Sequence, residues 1–307
     1  MWRWGLGAVV FWAFAIVLHF RWNPGPPARM SEPPRWSPPT SRPALPNVAA
    51  SHLQLWLTAD HGVDCDGGTV RLWADVSGNG RHAVSGSHEG PACAGKTHAA
   101  NAHALAGVDL PYFSAPGREP PFVDGALDVD LSFLTDTDFT IFVVERRWAD
   151  GTRERGRNEE LIGTDFRGGT SACPVSGYQI NLGYAYYDGY PTLNYESNCY
   201  RPWSGTRGPA PRTPDSPPGA AAIDMLRLAQ AQATSPTVWQ NGVKINVGGA
   251  SGGPGSHFAG GSIGRAFETQ TDNRFRGDIA EIVIFDAALT NAEARRMEAY
   301  LRQHWHL

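Results

Sequence analysis

The residues best suited to binding a ligand lie in one tyrosine-rich stretch, SGYQINLGYAYYDGYPTLNYESNCYRPW (176–203). Ligand sites combine apolar and aromatic surface with a few well-placed polar groups, and flat rings suit the C–H faces of sugars. Aromatic residues are also ordinary strand and core residues, and Tyr178, Tyr184 and Tyr186 share one face that we predict to be core. The side chains that could form a sugar-binding surface are Tyr187, Asp188, Tyr190, Asn194, Tyr195 and Trp203.

Glycoside hydrolysis requires a pair of carboxylates that flank the scissile bond. The sequence shows no such pairing of acidic residues. Glu281 is the only acid inside the apolar strand DIAEIVIFD (278–286), and it has no acidic neighbour two or four positions away. We interpret it as a core residue that pairs with an arginine or with backbone. The histidines lack metal-ligand spacing, and His304 lies near the end of the chain. The sequence therefore predicts no enzyme, with a glycoside-active protein as the less favoured alternative.

A second polar motif, D-x-S-G-N-G, begins at Asp75 and includes Ser77 and Asn79. Its alternating oxygen side chains are typical of the start of a calcium loop, although the distal Glu of an EF-hand is missing. The alternative is an Asn-Gly turn in which Asp75 bonds to backbone amides. Structural calcium is thus one prediction, with Asp75 and Asn79 as ligands and Asp278 as a weaker candidate.

The tripeptide Arg276-Gly277-Asp278 resembles an adhesion motif. Recognition of that kind requires a flexible, exposed tip, whereas here the tripeptide directly precedes the apolar strand. We therefore interpret it as the entry into the strand.

The chain ends in a strand followed by a helix. Both faces of DIAEIVIFD are apolar, which predicts a strand covered on both sides. Thr290 and Glu293 form a capping box at the start of the helix. The apolar stripe of the helix contains Met297, Tyr300, Leu301 and Trp305, so we expect the helix to cover a sheet surface.

Four cysteines, Cys65, Cys93, Cys173 and Cys199, show no C-x-x-C pair of a zinc or redox site. In an oxidising compartment two disulfides are expected. Three connectivities are open, and we favour Cys65–Cys93 with Cys173–Cys199.

The N-terminus differs from the rest of the chain. Residues 4–20 are uncharged and apolar between Arg3 and Arg21, which predicts an uncleaved membrane anchor or a cleaved signal peptide in residues 1–22. Residues 23–50 form a proline-rich linker that can build neither helix nor sheet. Either reading of the leader exports the third segment, residues 51–307, to the periplasm or cell exterior.

Composition and charge limit the remaining classes. The chain has 35 Gly and 24 Pro, and only 18% of its residues are charged, which favours many short strands joined by tight turns. The net charge of −4 excludes the basic footprint of a nucleic-acid binder. Strands are predicted at 53–60, 69–84, 138–148, 223–232 and 236–247, with a hairpin in 176–203 and a solvated loop at 149–160.

Three segments resemble one family: LWLTADHGV…VRLWADVSGNGRHAV near the start, VWQNGVKI in the middle and FRGDIAEIVIFDAALTNAEARRMEAYLRQHW at the end. They are similar to the bacterial laminin-G-like, concanavalin A-like lectin/glucanase jelly-roll domains over about 51–307. The resemblance implies an all-β, two-sheet antiparallel jelly-roll sandwich with a short C-terminal helix, preceded by the hydrophobic helix and the linker. Because this fold hosts lectins, glycanases and structural domains, it implies function only weakly.

We therefore expect an exported, non-catalytic domain that binds glycan or a cell-surface protein and meets the membrane through its N-terminus. The alternative is a structural or protein-interaction module of the same fold with no sugar site.

Overall fold

The computed structural model of the protein describes part of the chain, and the statements below concern that part. The predicted leader and most of the linker lie outside it. Within it, no helix has the length and apolar character needed to cross a membrane. The described residues are 45–46, 48–86, 90–93, 104–113, 125–134, 137–147, 158–165, 181–187, 190–196, 224–230, 237–245, 260–265 and 274–307.

Extended strands dominate these residues, and one α-helix follows the last strand. Two short 3₁₀ turns, Ala50–His52 and Ser132–Leu134, interrupt them. The strands are β1 (Leu53–Thr58), β2 (Val63–Asp66), β3 (Thr69–Trp73), β4 (Ala83–Val84), β5 (Ala92–Cys93), β6 (Ala104–Leu105), β7 (Val108–Asp109), β8 (Pro111–Phe113), β9 (Leu127–Val129), β10 (Phe139–Arg147), β11 (Asn158–Asp165), β12 (Asn181–Tyr187), β13 (Tyr190–Glu196), β14 (Asp224–Gln230), β15 (Thr237–Gln240), β16 (Val243–Ile245), β17 (Gly260–Ile263) and β18 (Gly277–Phe285), and the helix is α1 (Asn291–Trp305).

Sixteen of the strands form one hydrogen-bonded ladder, in the order β13-β12-β11-β17-β9-β4-β3-β5-β8-β18-β10-β14-β15-β16 with β1 added on β18 and β2 on β3. The pairs are antiparallel, as in the ladder's centre, where β10 lies between β18 and β14. Strands β6 and β7 form a separate pair. The prediction of a mostly antiparallel β-fold with one C-terminal helix is therefore confirmed.

The ladder folds back on itself. In a flat sheet β10 and β12 would lie roughly 40 Å apart, because eight strands separate them at about 4.8 Å per step. Instead, the hydroxyl of Tyr184 on β12 donates a hydrogen bond to the carboxylate of Glu145 on β10. Strand β12, near one end of the ladder, thus faces β10, which is the layering expected of a sandwich.

Strand β18 and helix α1 form as the sequence pattern predicts. All nine residues of β18 are buried, because β1 and β10 flank the strand and the helix covers it. The capping box of Thr290 and Glu293 is present at the start of α1. Met297, Leu301 and Trp305 are buried beneath the helix, and Tyr300 is half-buried.

One sequence interpretation was wrong. The stretch 149–160 was expected to be a solvated loop, but its last residues, Asn158, Glu159 and Glu160, belong to β11. Both glutamates are buried. Local charge predicted solvent exposure, whereas pairing of β11 with β12 and β17 decided the outcome.

Candidate functional site

The tyrosine-rich hairpin stands at one end of the ladder, where β13 pairs with β12 alone among the described strands. The backbone register sets Tyr187 opposite Tyr190. The same register sets Asn194 opposite Gly183 and Tyr195 opposite Leu182. Asp188 and Trp203 lie outside the described residues. The structure therefore brings Tyr187 and Tyr190 together at the level of the backbone.

Tyr184 behaves as the sequence predicts for the core face of this hairpin. Its side chain is fully buried, and its hydroxyl bonds to Glu145. The guanidinium carbon of Arg147 lies 4.8 Å from the centre of its ring, a cation–π contact. Glu159 is paired directly opposite Tyr184 on β11.

The cluster of Glu145, Arg147, Glu159 and Tyr184, in which Arg147 is half-buried, was not predicted from the sequence. Its only signal was the charged Glu145-Arg146-Arg147 at the end of the apolar run of β10. Which strand would face that run depends on how the ladder folds back, and no spacing along the chain reports it.

The Asp75 motif forms a closed turn in the structure. One carboxylate oxygen of Asp75 accepts hydrogen bonds from the backbone amides of Trp56 (3.0 Å) and Ser77 (2.8 Å). The other accepts from the Ser77 hydroxyl (2.8 Å) and the Arg81 amide (3.0 Å). The side-chain amide of Asn79 donates hydrogen bonds to the backbone carbonyl oxygens of Leu53 and Gln54. This is the backbone-bonded Asn-Gly turn that the sequence offered as the alternative to a calcium loop.

Asp278 lies elsewhere and has a different role. It is fully buried in β18 opposite Arg146, whose Nε and Nη2 donate to Oδ2 at 2.8 and 2.7 Å. Arg276-Gly277-Asp278 is thus the entry into a buried strand, as predicted. Within the described part of the chain, no three acidic, histidine or cysteine side chains form a group that could hold a metal ion.

One of the predicted disulfides is present. Cys65 on β2 and Cys93 on β5 are bonded, and both strands border β3. Cys173 and Cys199 lie outside the described residues, so their pairing stays a prediction. A disulfide favours an extracytoplasmic environment.

We expect the variant Cys65→Ser/Cys93→Ser to be less stable by about 3 kcal/mol, because the bond closes a loop with a sequence separation of 28 and restricts the unfolded chain. Urea unfolding of the variant and of the oxidised wild type measures the difference. The single variant Asp66→Asn is the control, because Asp66 lies next to Cys65 and is exposed. Equal stability of the cysteine variant and wild type would contradict the prediction.

Glu281 is a buried titratable group beneath α1, with an exposed fraction of 1%. Its two carboxylate oxygens each accept one indole N–H, from Trp56 on β1 (2.7 Å) and from Trp305 on α1 (2.5 Å). The expectation of an arginine or backbone partner was therefore wrong. Burial raises the pKa of Glu281 to about 7, and the two indole hydrogen bonds oppose that rise.

A second titratable pair lies next to this carboxylate. Nε2 of His304 lies 3.1 Å from Oδ2 of Asp60. The other carboxylate oxygen of Asp60 accepts a hydrogen bond from the Thr58 hydroxyl and lies 3.0 Å from Nδ1 of His61. Burial opposes ionisation of Asp60, but hydrogen bonds from His304, Thr58 and His61 outweigh it and hold its pKa below the usual range. The hydrogen bond to Asp60 raises the pKa of His304.

Helix α1 brings these groups together. The His304 ring stacks on Tyr300 with centroids 5.4 Å apart, and Tyr300 meets Trp56 edge-on at 6.4 Å. His304 lies near the end of the chain, and α1 continues through Trp305. The buried Trp305 anchors that last turn, and its helical spacing was the available signal. We name Glu281, Asp60, His304, Tyr300 and the two indoles the sub-helix centre.

Comparison with known proteins gives likeness of fold. No protein-family model matches the chain, and no curated protein matches it. The solved structure of Trypanosoma rangeli sialidase in complex with sialic acid is 13% identical, covers 87% of this chain and has a TM-score of 0.52. This chain spans 36% of that sialidase.

Two further solved structures are similar to this chain with lower TM-scores. The binding domain of Paraclostridial Mosquitocidal Protein 1 is 13% identical over 83% of this chain and 53% of its own, with a TM-score of 0.49. Domain 4 of AbnA, a GH43 extracellular arabinanase from Geobacillus stearothermophilus, in complex with arabinotriose, is 14% identical over 80% of this chain and 98% of its own, with a TM-score of 0.43. At these identities the comparisons concern the fold, which is β-rich.

Proposed function

We propose that this chain is an exported β-domain that binds carbohydrate without processing it and is held at a membrane by its N-terminal segment. The observation that carries the proposal is the β12–β13 hairpin, whose backbone sets Tyr187 opposite Tyr190 at the end of the described ladder. Among the described strands β13 has one neighbour, which supports the approach of a ligand from its other side. The sialidase that is similar in fold was solved with sialic acid bound, which supports a sugar as the ligand class.

The surroundings of the buried acids support binding rather than catalysis. Glu281 is enclosed by two indoles and the helix, and Glu145 is bonded to Tyr184 between the layers. A general acid must come within hydrogen-bond reach of its substrate. In this arrangement both carboxylates are occupied by protein donors and shielded from solvent.

The proposal is tested by a glycan array on residues 48–307, followed by calorimetric titration of the glycans that bind. We expect Tyr190→Ala and Tyr187→Ala to weaken binding by about tenfold or more, as for an aromatic residue at the centre of a contact. Val243→Ala is the matched control, because Val243 is 69% exposed on β16 at the opposite end of the ladder.

Three results would count against the proposal. Wild-type binding by both tyrosine variants would show that the surface lies elsewhere. Absence of glycan binding by the wild type would favour the structural or protein-interaction module. Hydrolysis of a glycan that Glu281→Gln abolishes would make the protein an enzyme.

Structural calcium is a separate proposal for Asp75, Asn79 and Asp278. A calcium ion on Asp75 would have to displace hydrogen bonds that already occupy both carboxylate oxygens. If such an ion binds, the melting temperature rises with added calcium, falls with chelator, and loses this response in Asp75→Asn. A melting temperature unaffected by calcium and chelator would contradict the proposal.

A further inference from the structure

The sub-helix centre joins three separate parts of the chain. Glu281 comes from β18, Asp60 follows β1, and His304 and Trp305 come from the last turn of α1. Thr58, the last residue of β1, is paired with Glu281 in the sheet. Asp60 follows Thr58 by two residues and therefore lies near Glu281. The hydrogen bonds from His304 to Asp60 and from Trp305 to Glu281 exist only while α1 lies on the sheet.

We propose that the sub-helix centre is a pH-dependent latch, which holds α1 on the sheet while Glu281 and His304 carry their protons and loosens it as they lose them. In the fully deprotonated centre, Glu281 and Asp60 are both anionic and His304 is neutral. Two negative charges then share a water-poor interface with no cation between them, which is unfavourable because burial penalises charge. Lifting α1 lets water reach Glu281 and relieves that cost.

The other groups that face the centre leave this charge balance intact. Tyr300 contributes a phenol whose pKa is raised by burial and by the nearby carboxylates, so it stays neutral. Opposite Glu281 on β10 lies the apolar Val144. On the side of Asp60 the further titratable group is His61, 3.0 Å away.

Two contacts hold α1 independently of this centre. Glu298 pairs with Arg227 on β14 at 3.1 Å, and Arg302 donates to the carbonyl oxygen of Asn241. Arginine stays charged at ordinary pH. These contacts tie the helix to the β14–β15 side of the sheet, so they are expected to hold α1 there while the sub-helix centre loosens.

The direction of the pH effect follows from linkage. Glu281 and His304 both have a raised pKa in the folded protein, so the stability that they contribute is present in acid and is lost as pH rises through those values. Asp60 has a lowered pKa, so its contribution is lost only in strong acid. With the pKa of Glu281 at about 7, the opening constant of α1 is expected to rise about tenfold between pH 6 and pH 8 from this group alone, and His304 adds to that rise.

Hydrogen–deuterium exchange of the full chain in mild detergent tests the latch. Peptides from α1 are followed at pH 6 and pH 8 and corrected for the intrinsic change of exchange rate with pH, with β10 and β14 as the internal reference. We expect the opening constant of α1 to rise at least tenfold while the reference strands change little. In Glu281→Gln the rise is expected to fall to a few-fold, and in His304→Gln it is expected to be reduced by less.

Arg296→Gln is the matched control, because Arg296 is exposed on the same helix and should retain the full pH effect. If Glu281→Gln does not fold, His304→Gln provides the second test, since it removes one of the two groups that lose a proton and should reduce the rise in α1 opening between pH 6 and pH 8. An α1 opening constant that does not change with pH, or an unchanged pH response in Glu281→Gln, would overturn the latch.

Discussion

Replacing Asp278 by Ala is expected to lower the free energy of unfolding by about 3–5 kcal/mol. The carboxylate is fully buried and accepts two hydrogen bonds from the guanidinium of Arg146, which is itself buried. Its removal takes from a buried cation the negative charge and the two hydrogen-bond acceptor contacts that Asp278 supplies. Urea unfolding measures the change.

Asp64→Ala is the matched control for this prediction. Asp64 also forms an ion pair with an arginine, Arg71, but the two side chains are 41% and 39% exposed. Exposed pairs contribute about 0–1 kcal/mol, so this variant should lose little stability. A loss below 1 kcal/mol for Asp278→Ala would contradict the prediction. Recovery of stability in the apolar double variant Asp278→Leu/Arg146→Met would identify the uncompensated charge as the cause.

Replacing Trp305 by Ala is expected to lower the free energy of unfolding by about 3–5 kcal/mol, because it empties a fully buried site. It also removes one of the two N–H donors to Glu281. Trp305→Phe keeps an aromatic ring but has no N–H donor, so it should lose less stability than Trp305→Ala. The difference between the two variants separates the contribution of packing from that of the hydrogen bond. Thermal and urea unfolding report both values.

Gln303→Ala is the control, because Gln303 is exposed on the same turn of α1 and surface changes of this kind fall within about 0.5 kcal/mol. If Trp305→Ala is as stable as Gln303→Ala, α1 does not contribute to the core as described.

Elements with a strong local pattern were predicted correctly. The doubly apolar run of β18 and the capping box of α1 are read directly from residue spacing, because strand alternation and helical periodicity are properties of the chain itself. The β15–β16 hairpin turns at Asn241-Gly242, and both residues have positive φ in the structure, which this turn requires.

Predictions of side-chain partners were less successful. Glu281 was recognised as an isolated acid in an apolar strand, but its indole partners lie on β1 and α1. The polar contact of His304 depends on where the helix meets the β1–β2 connection. Such contacts join residues far apart in sequence, and no period or motif encodes them.

The sequence by itself determined strand β18, the final helix and its cap, and the antiparallel β class, since each depends on neighbours within a few positions. Only the tertiary structure decided that Asp278 pairs with Arg146, that Tyr184 reaches Glu145 across the folded ladder, and that Glu281, Asp60 and His304 meet beneath α1. The physical reason is burial: a carboxylate removed from water must find a donor, and the folded ladder determines which donors are within reach.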